Sequence, residues 1–222
     1  MNDMTRDRQP PAIERYNANE RTNHWFVVIA FLLTAVSGLA LFHPALFWLS
    51  ALLGGGTWTR ILHPFLGLVM AAAFAWLAAT MWKFNKMEPR DWQWLRKSKD
   101  VVVNKHEESV TDVGRYNGGQ KLMFITLVVC VAGLLLSGIV LWREYFSMYF
   151  AVGVVRFAAV VHGVCAFVLV CAIVIHIYAA FWVKGSIDAM TRGTVTPGWA
   201  WKHHRTWFRE KIHATHPRTR PD

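Results

Sequence analysis

Residues 154–183 read VVRFAAVVHGVCAFVLVCAIVIHIYAAFWV, a stretch with a single formal charge, Arg156. It is longer than the roughly 20 apolar residues a helix needs to cross a bilayer. Two histidines interrupt it, His162 and His176, 14 residues apart. On one helix that spacing is about 21 Å of rise. At about 100° per residue, the second ring returns to within roughly 40° of the first. One helix face therefore presents two imidazoles at two depths. Ionisable side chains at membrane depth are costly and mark functional positions by default. Any one of them alone reads equally as a packing or interfacial histidine, so the set must be judged together.

Working outward, three more apolar runs appear, and the spans are expected at about 24–42, 61–83, 121–142 and 154–183. An arm (1–23), a loop (84–118) and a tail (184–222) complete a single membrane domain over 1–222. With 54% hydrophobic and 17% charged residues, the chain is too apolar for an ordinary soluble domain. The four spans use most of the length and leave no room for a soluble catalytic domain. The basic residues gather in the arm (Arg6, Arg8, Arg15, Arg21), the loop (from Lys86 to Arg115) and the tail (from Lys184 to Arg220). The positive-inside rule places those three segments in the cytoplasm, which requires an even number of spans. The net charge of +10 is therefore read as topology, with no nucleic-acid partner expected. Tryptophans near the span ends, among them Trp25, Trp58, Trp82, Trp142 and Trp182, suit interfacial anchors. Cys130, Cys165 and Cys171 lie inside spans without a C-x-x-C pair and read as small packing residues. Neither a cleavable signal peptide nor an internal repeat is expected.

Of the ten histidines, His106, His203, His204, His213 and His216 lie in polar segments and read as exposed surface residues. His43 is 19 residues after His24, about 100° off its face, and reads as interfacial. That leaves His24, His63, His162 and His176. Topology pairs them. The first span starts inside, so His24 lies at the inner level with His176. The second starts outside, so His63 lies at the outer level with His162. Gly67 and Ala71 follow His63 on its face, and Gly38 follows His24 by 14 residues. Those small residues suit either the approach of a flat macrocycle or ordinary helix packing in a membrane. Zinc and di-iron sites want three or four ligands at one level, usually with carboxylates or cysteines. Two imidazoles per level suit haem, whose macrocycle supplies the other four ligands. With both axial positions filled, such a haem carries electrons. Without C-x-x-C-H it is non-covalent and b-type. The expected fold is all-α: a four-helix transmembrane bundle binding two b-type haems, with both termini cytoplasmic.

Five strings then carry a resemblance. They are Arg15-Tyr16 through Glu20-Arg21-Thr22-Asn23-His24-Trp25, Arg60-Ile61-Leu62-His63-Pro64-Phe65, Arg115-Tyr116-Asn117-Gly118-Gly119-Gln120-Lys121, Val161-His162-Gly163 and His176-Ile177-Tyr178. In that order they resemble the cytochrome b556 (gamma) subunits of membrane-bound formate dehydrogenases, over about residues 12–210. The resemblance implies a subunit of the bacterial cytoplasmic (inner) membrane that does not itself oxidise formate. Its partners would be a molybdenum- or tungsten-containing alpha subunit and an iron–sulfur beta subunit. Electrons would pass from the beta subunit to the outer haem (His63, His162), then to the inner haem (His24, His176), and reduce menaquinone or ubiquinone in formate respiration. It also implies that Asn117 and Gly119 contact the quinone. Physically, an Asn amide and a glycine N–H can donate to a quinone carbonyl. Read without the resemblance, Asn-Gly-Gly-Gln is equally a loop followed by a helix start. The cytochrome b of a membrane hydrogenase or a thiosulfate reductase would share this architecture. A haem-free anchor or a transporter is the reading of another class, though the broken half-repeats of transporters are not evident.

Overall fold

The computed structural model describes residues 12–98 and 113–215. Its long helices are α1 (Ala18–Phe42), α2 (Gly56–Met81), α4 (Gly118–Leu141) and α5 (Val152–Trp182). The short ones are α3 (Pro89–Arg96), α6 (Ser186–Thr191), α7 (Pro197–His203) and α8 (Arg205–Thr215). All four long helices are long and apolar enough to cross a membrane.

Polar capping decides where α1 and α4 begin, so both start ahead of their apolar runs. At α1, Asn17 Oδ1 accepts from the Glu20 N–H (2.8 Å) and Glu20 Oε2 accepts from the Asn17 N–H (2.9 Å). At α4, Asn117 and Gln120 exchange the same pair of bonds, at 2.8 and 3.0 Å. Each capping box satisfies amides that a helix start leaves unpaired. As a result α1 takes in the polar turn before His24. The apolar link after α1 is a 3-10 helix, Pro44–Leu53, whose N-cap is His43: its Nδ1 accepts from the Ala45 N–H at 3.2 Å. Gly54 and Gly55, at φ 83° and 96°, then turn the chain into α2 through a region closed to most side chains.

The chain forms two compact units. One holds 22–82 and 123–179, the bulk of the four spans. Its core is built from Ala30, Met70, Ala71, Phe74, Ala78, Cys130, Val131 and Leu169. Small residues let the helix backbones approach. The outward side chains are large and apolar: Phe26, Ile29, Trp76, Val129, Leu136, Phe157 and Phe167 are each at least half exposed. A surface of that kind requires lipid in place of water.

The other unit gathers the described residues of 1–21, 83–122 and 180–222. Strand β1 (Ile13–Glu14) pairs antiparallel with β2 (Thr194–Val195), Ile13 facing Val195. Ala189, Val195, Ala200 and Trp207 form its core. Asp91 and Lys121 make a buried ion pair at 2.7 Å, and Lys121 also donates to the Lys86 carbonyl at 3.0 Å. Arg15 is 3% exposed, its guanidinium 4.5 Å from the centre of the Trp207 ring. It donates to the Arg115 carbonyl and faces His204 Nε2 at 3.4 Å. Arm, loop and tail thus fold on one another.

His204 corrects the expectation of an exposed histidine. It is 2% exposed, with Nδ1 donating to the Gly114 carbonyl at 2.9 Å. His203 is half-buried and His213 exposed, while His106 and His216 lie outside the described residues. Burial, reinforced by the Arg15 cation, pushes His204 from the ordinary 6.5 down to about 3. The unfolded chain therefore binds a proton below about 6.5 that the folded unit refuses until about 3. Stability is full above that window and falls with pH inside it. Hydrogen exchange over 197–213, corrected for intrinsic rates, should show weaker protection at about pH 5 than at about pH 7.5. His204→Gln, which cannot titrate, should lose that difference. Equal protection of the unaltered protein at both pH values would contradict the assignment.

Candidate functional site

The four histidines expected to work in pairs do meet in pairs. His24, in the second turn of α1, faces His176 near the end of α5, with ring centroids 6.3 Å apart. His63, on α2, faces His162 on α5 at 6.2 Å. His43 joins neither pair and serves as a helix cap.

Those separations fit a shared metal. Directly hydrogen-bonded imidazoles have a nitrogen–nitrogen distance of about 3 Å, which sets their centroids about 5 Å apart. Two metal–imidazole bonds of about 2.0 Å and two ring radii of about 1.1 Å, laid end to end, span roughly 6.2 Å. Among the described residues no third His, Cys, Asp or Glu converges with either pair. A metal bound there needs its remaining donors from a ligand such as a porphyrin. An ideal Cβ placed on Gly67, one turn beyond His63, would meet nothing within 4 Å, so that flank is open to a flat group. Ala71, one turn further, is buried in the helix core and belongs to packing.

Two serines govern one of the pairs. Ser37 Oγ lies 2.8 Å from the Thr34 carbonyl and 2.8 Å from His63 Nδ1. Ser137 Oγ lies 2.5 Å from the Gly133 carbonyl and 2.9 Å from His162 Nδ1. A hydroxyl has one proton, and in both serines the carbonyl of the preceding turn takes it. The oxygen can then only accept, so each ring must bring Nδ1–H, and each Nε2 keeps its lone pair for a metal. A glycine follows each serine. An ideal Cβ on Gly38 would stand 3.1 Å from His63 Cε1, and one on Gly138 would stand 3.4 Å from His162 Cε1. Gly38 therefore clears room for the edge of a ligand ring. The other pair differs: His24 Nδ1 is buried without a hydrogen-bond partner among the described residues.

Neither serine stood out in the sequence, because serine is ordinary at helix contacts in membranes. The signal that finds them is an internal repeat, which corrects the expectation of none. Arg15-Tyr16-Asn17 recurs as Arg115-Tyr116-Asn117, and Ser37-Gly38 as Ser137-Gly138, each 100 residues later. His63 and His162 follow in the two halves, 99 residues apart. The same parts recur in the same roles: an Asn cap opening a helix, then a Ser-Gly step that seats the histidine of the next span. His24 and His176 fall outside the pattern, since positions 124 and 76 hold Phe124 and Trp76.

Asn117 is the N-cap of α4, and its Oδ1 is engaged by the Gln120 amide at 2.8 Å, which leaves its NH2 group to donate elsewhere. Gly118 and Gly119 have local reasons to be glycine. Their ideal Cβ atoms would come within 2.5 Å of the Asp91 carbonyl oxygen and 2.9 Å of the Trp94 ring, respectively. The N–H of Gly119 is among the amides a helix start leaves unpaired.

Known proteins are similar to this chain over most of its length. The sequence profile of the prokaryotic cytochrome b561 family matches residues 15–193. The formate dehydrogenase cytochrome b556(fdo) subunit of Escherichia coli K12 is 45% identical over 198 residues, covering 89% of this chain and 92% of that protein. The formate dehydrogenase cytochrome b556 subunit of Haemophilus influenzae is 44% identical, over 90% and 84% of the two chains. The nitrate-inducible formate dehydrogenase cytochrome b556(Fdn) subunit of Escherichia coli K12 is 42% identical, over 86% and 88%.

The 3.1 Å clearance at Gly38 is testable. Gly38→Val drives a branched side chain into the His63 ring. It should lower metal-ligand occupancy at that pair about tenfold, the lower end for outer-shell changes, while His24 and His176 stay loaded. Cofactor absorbance of the purified variant measures this, and full occupancy at both pairs would show that the close approach is incidental.

Proposed function

The chain belongs to the prokaryotic cytochrome b561 family, and from that premise we propose that it is the di-haem membrane subunit of a formate dehydrogenase, carrying electrons to a quinone. Membership makes it a b-type cytochrome of the cytoplasmic membrane. The observation that carries the di-haem reading is the double one: two imidazole pairs, each spaced for one metal, on helices long enough to span a bilayer.

When bound, haem at each level supplies a one-electron iron couple inside the apolar layer. The chain's own task is to place the two couples and protect them. His63 and His162 would hold the outer haem and His24 and His176 the inner one. The basic arm, loop and tail would lie in the cytoplasm with both termini. An iron–sulfur partner would deliver electrons at the outer level, fed in turn by a molybdenum or tungsten subunit that oxidises formate. The relatives' names make each of them a subunit of a formate dehydrogenase, which supports a place in such a complex. Menaquinone or ubiquinone would accept the electrons on the inner side. Asn117 is proposed to donate from its NH2 to a quinone carbonyl, with the Gly119 N–H beside it. Because Asn117 Oδ1 is committed to the helix cap, capping and quinone contact do not compete.

Two outcomes are expected in the assembled complex. His63→Ala or His162→Ala should remove one of two haems and lower formate-dependent quinone reduction at least about 100-fold, the upper end of what loss of a mere outer-shell partner costs. A variant with full haem content would refute the pairing. Asn117→Asp keeps a good helix-capping oxygen but replaces the donor with a carboxylate. It should leave both haems in place and cut quinone reduction about tenfold, the upper end of one neutral hydrogen bond's worth of binding. Unchanged quinone kinetics would remove Asn117 from the site.

A further inference from the structure

We propose that Ser37 and Ser137 are positioning residues that set the ligand strength of His63 and His162, holding the outer haem at a lower potential than the inner one. This rests on the di-haem reading and adds to it a driving force for the electron's inward step.

The geometry is specific. Both serines are buried, Ser37 at 0% and Ser137 at 5% exposure. Each spends its proton on the carbonyl one turn back and offers its lone pair to Nδ1, at 2.8 Å for His63 and 2.9 Å for His162. A ligand histidine whose second nitrogen donates a hydrogen bond is held in one tautomer and one orientation, and is the more basic donor to its metal. A more basic axial pair favours the oxidised, more positive iron, which lowers the potential. The His63–His162 pair has this support on both rings.

The His24–His176 pair is built otherwise. Ring to ring it is spaced alike, at 6.3 Å against 6.2 Å, so the two sites differ in surroundings more than in span. His24 Nδ1 is buried with no acceptor among the described residues. That ring is the weaker donor, and its iron is the easier to reduce. An electron placed on the outer iron by a partner therefore finds the inner iron downhill. The repeat explains the asymmetry: Ser37-Gly38 with His63, and Ser137-Gly138 with His162, are two copies of one device facing each other, whereas the inner pair has no counterpart in the repeat.

The test is a redox titration of both haems in the purified complex, for the unaltered protein, Ser37→Ala, Ser137→Ala and the double variant. The outer haem is identified as the signal lost in His63→Ala. Each alanine should raise the outer haem's reduced-to-oxidised ratio at a fixed ambient potential about tenfold, which is 59 mV for a one-electron couple. The inner haem should stay where it was. Ser→Cys, close in size but a weaker acceptor, should fall between serine and alanine. Loss of the outer haem alone from the alanine variants, with retention in the cysteine variants, would be the same result in stronger form. An outer haem unmoved in the double variant, or an inner haem that moves equally, overturns the proposal. An unaltered complex without two titrating b-haems overturns the di-haem reading itself, and that failure is visible before any serine is changed.

Discussion

A bilayer has no water with which to satisfy a polar side chain, and this chain puts four imidazoles into it. That tension organises the spanning helices. Each ring must be paired with something worth its burial, and the pairs at 6.2 and 6.3 Å are spaced for a metal between them. α5 carries one histidine of each pair, at positions 14 residues apart, and so fixes the two levels. α2 and α1 then supply one partner ring each. The small residues of the bundle follow from the same need. Gly38 and Gly138 stand back from ring edges, and Gly67 faces open space.

The other unit solves a different problem. Arm, loop and tail are rich in arginine, and a compact unit cannot bury guanidinium without partners. Arg15 is surrounded by aromatic faces, with Trp207 at 4.5 Å, and by a carbonyl and an imidazole nitrogen. Arg115 is held by Glu20 at 3.3 Å and lies over Phe84 at 4.3 Å. The Lys121–Asp91 pair does the same service at the start of α4. A buried pair of this kind is weak evidence for net stability, but removing one partner leaves a charge stranded, at a cost of about 3–5 kcal/mol. These contacts tie together segments distant in sequence.

Much of this was legible from the residues. The spans and both histidine pairs could be read because the bilayer suppresses polar residues, so every histidine in a span stands out against an apolar background. The beginnings of α1 and α4 were not legible from apolar periodicity, since the residues that set them, Asn17 with Glu20 and Asn117 with Gln120, are polar. His204 was misplaced for a related reason. A polar tail looks exposed until Gly114 and Arg15 arrive from elsewhere in the chain to bury it. Ser37 and Ser137 were hidden by their ordinariness, and the repeat that exposes them rests on few identities across 100 residues. Only the placement of both hydroxyls on Nδ1 gives that repeat a chemical meaning.

The most direct measurement is haem content per polypeptide of the purified chain, by pyridine haemochrome with a dithionite-minus-oxidised spectrum. The arrangement of His24 with His176 and His63 with His162 predicts two b-type haems for each chain. A single haem would leave one of the pairs without its metal, and no haem would contradict the account at its centre.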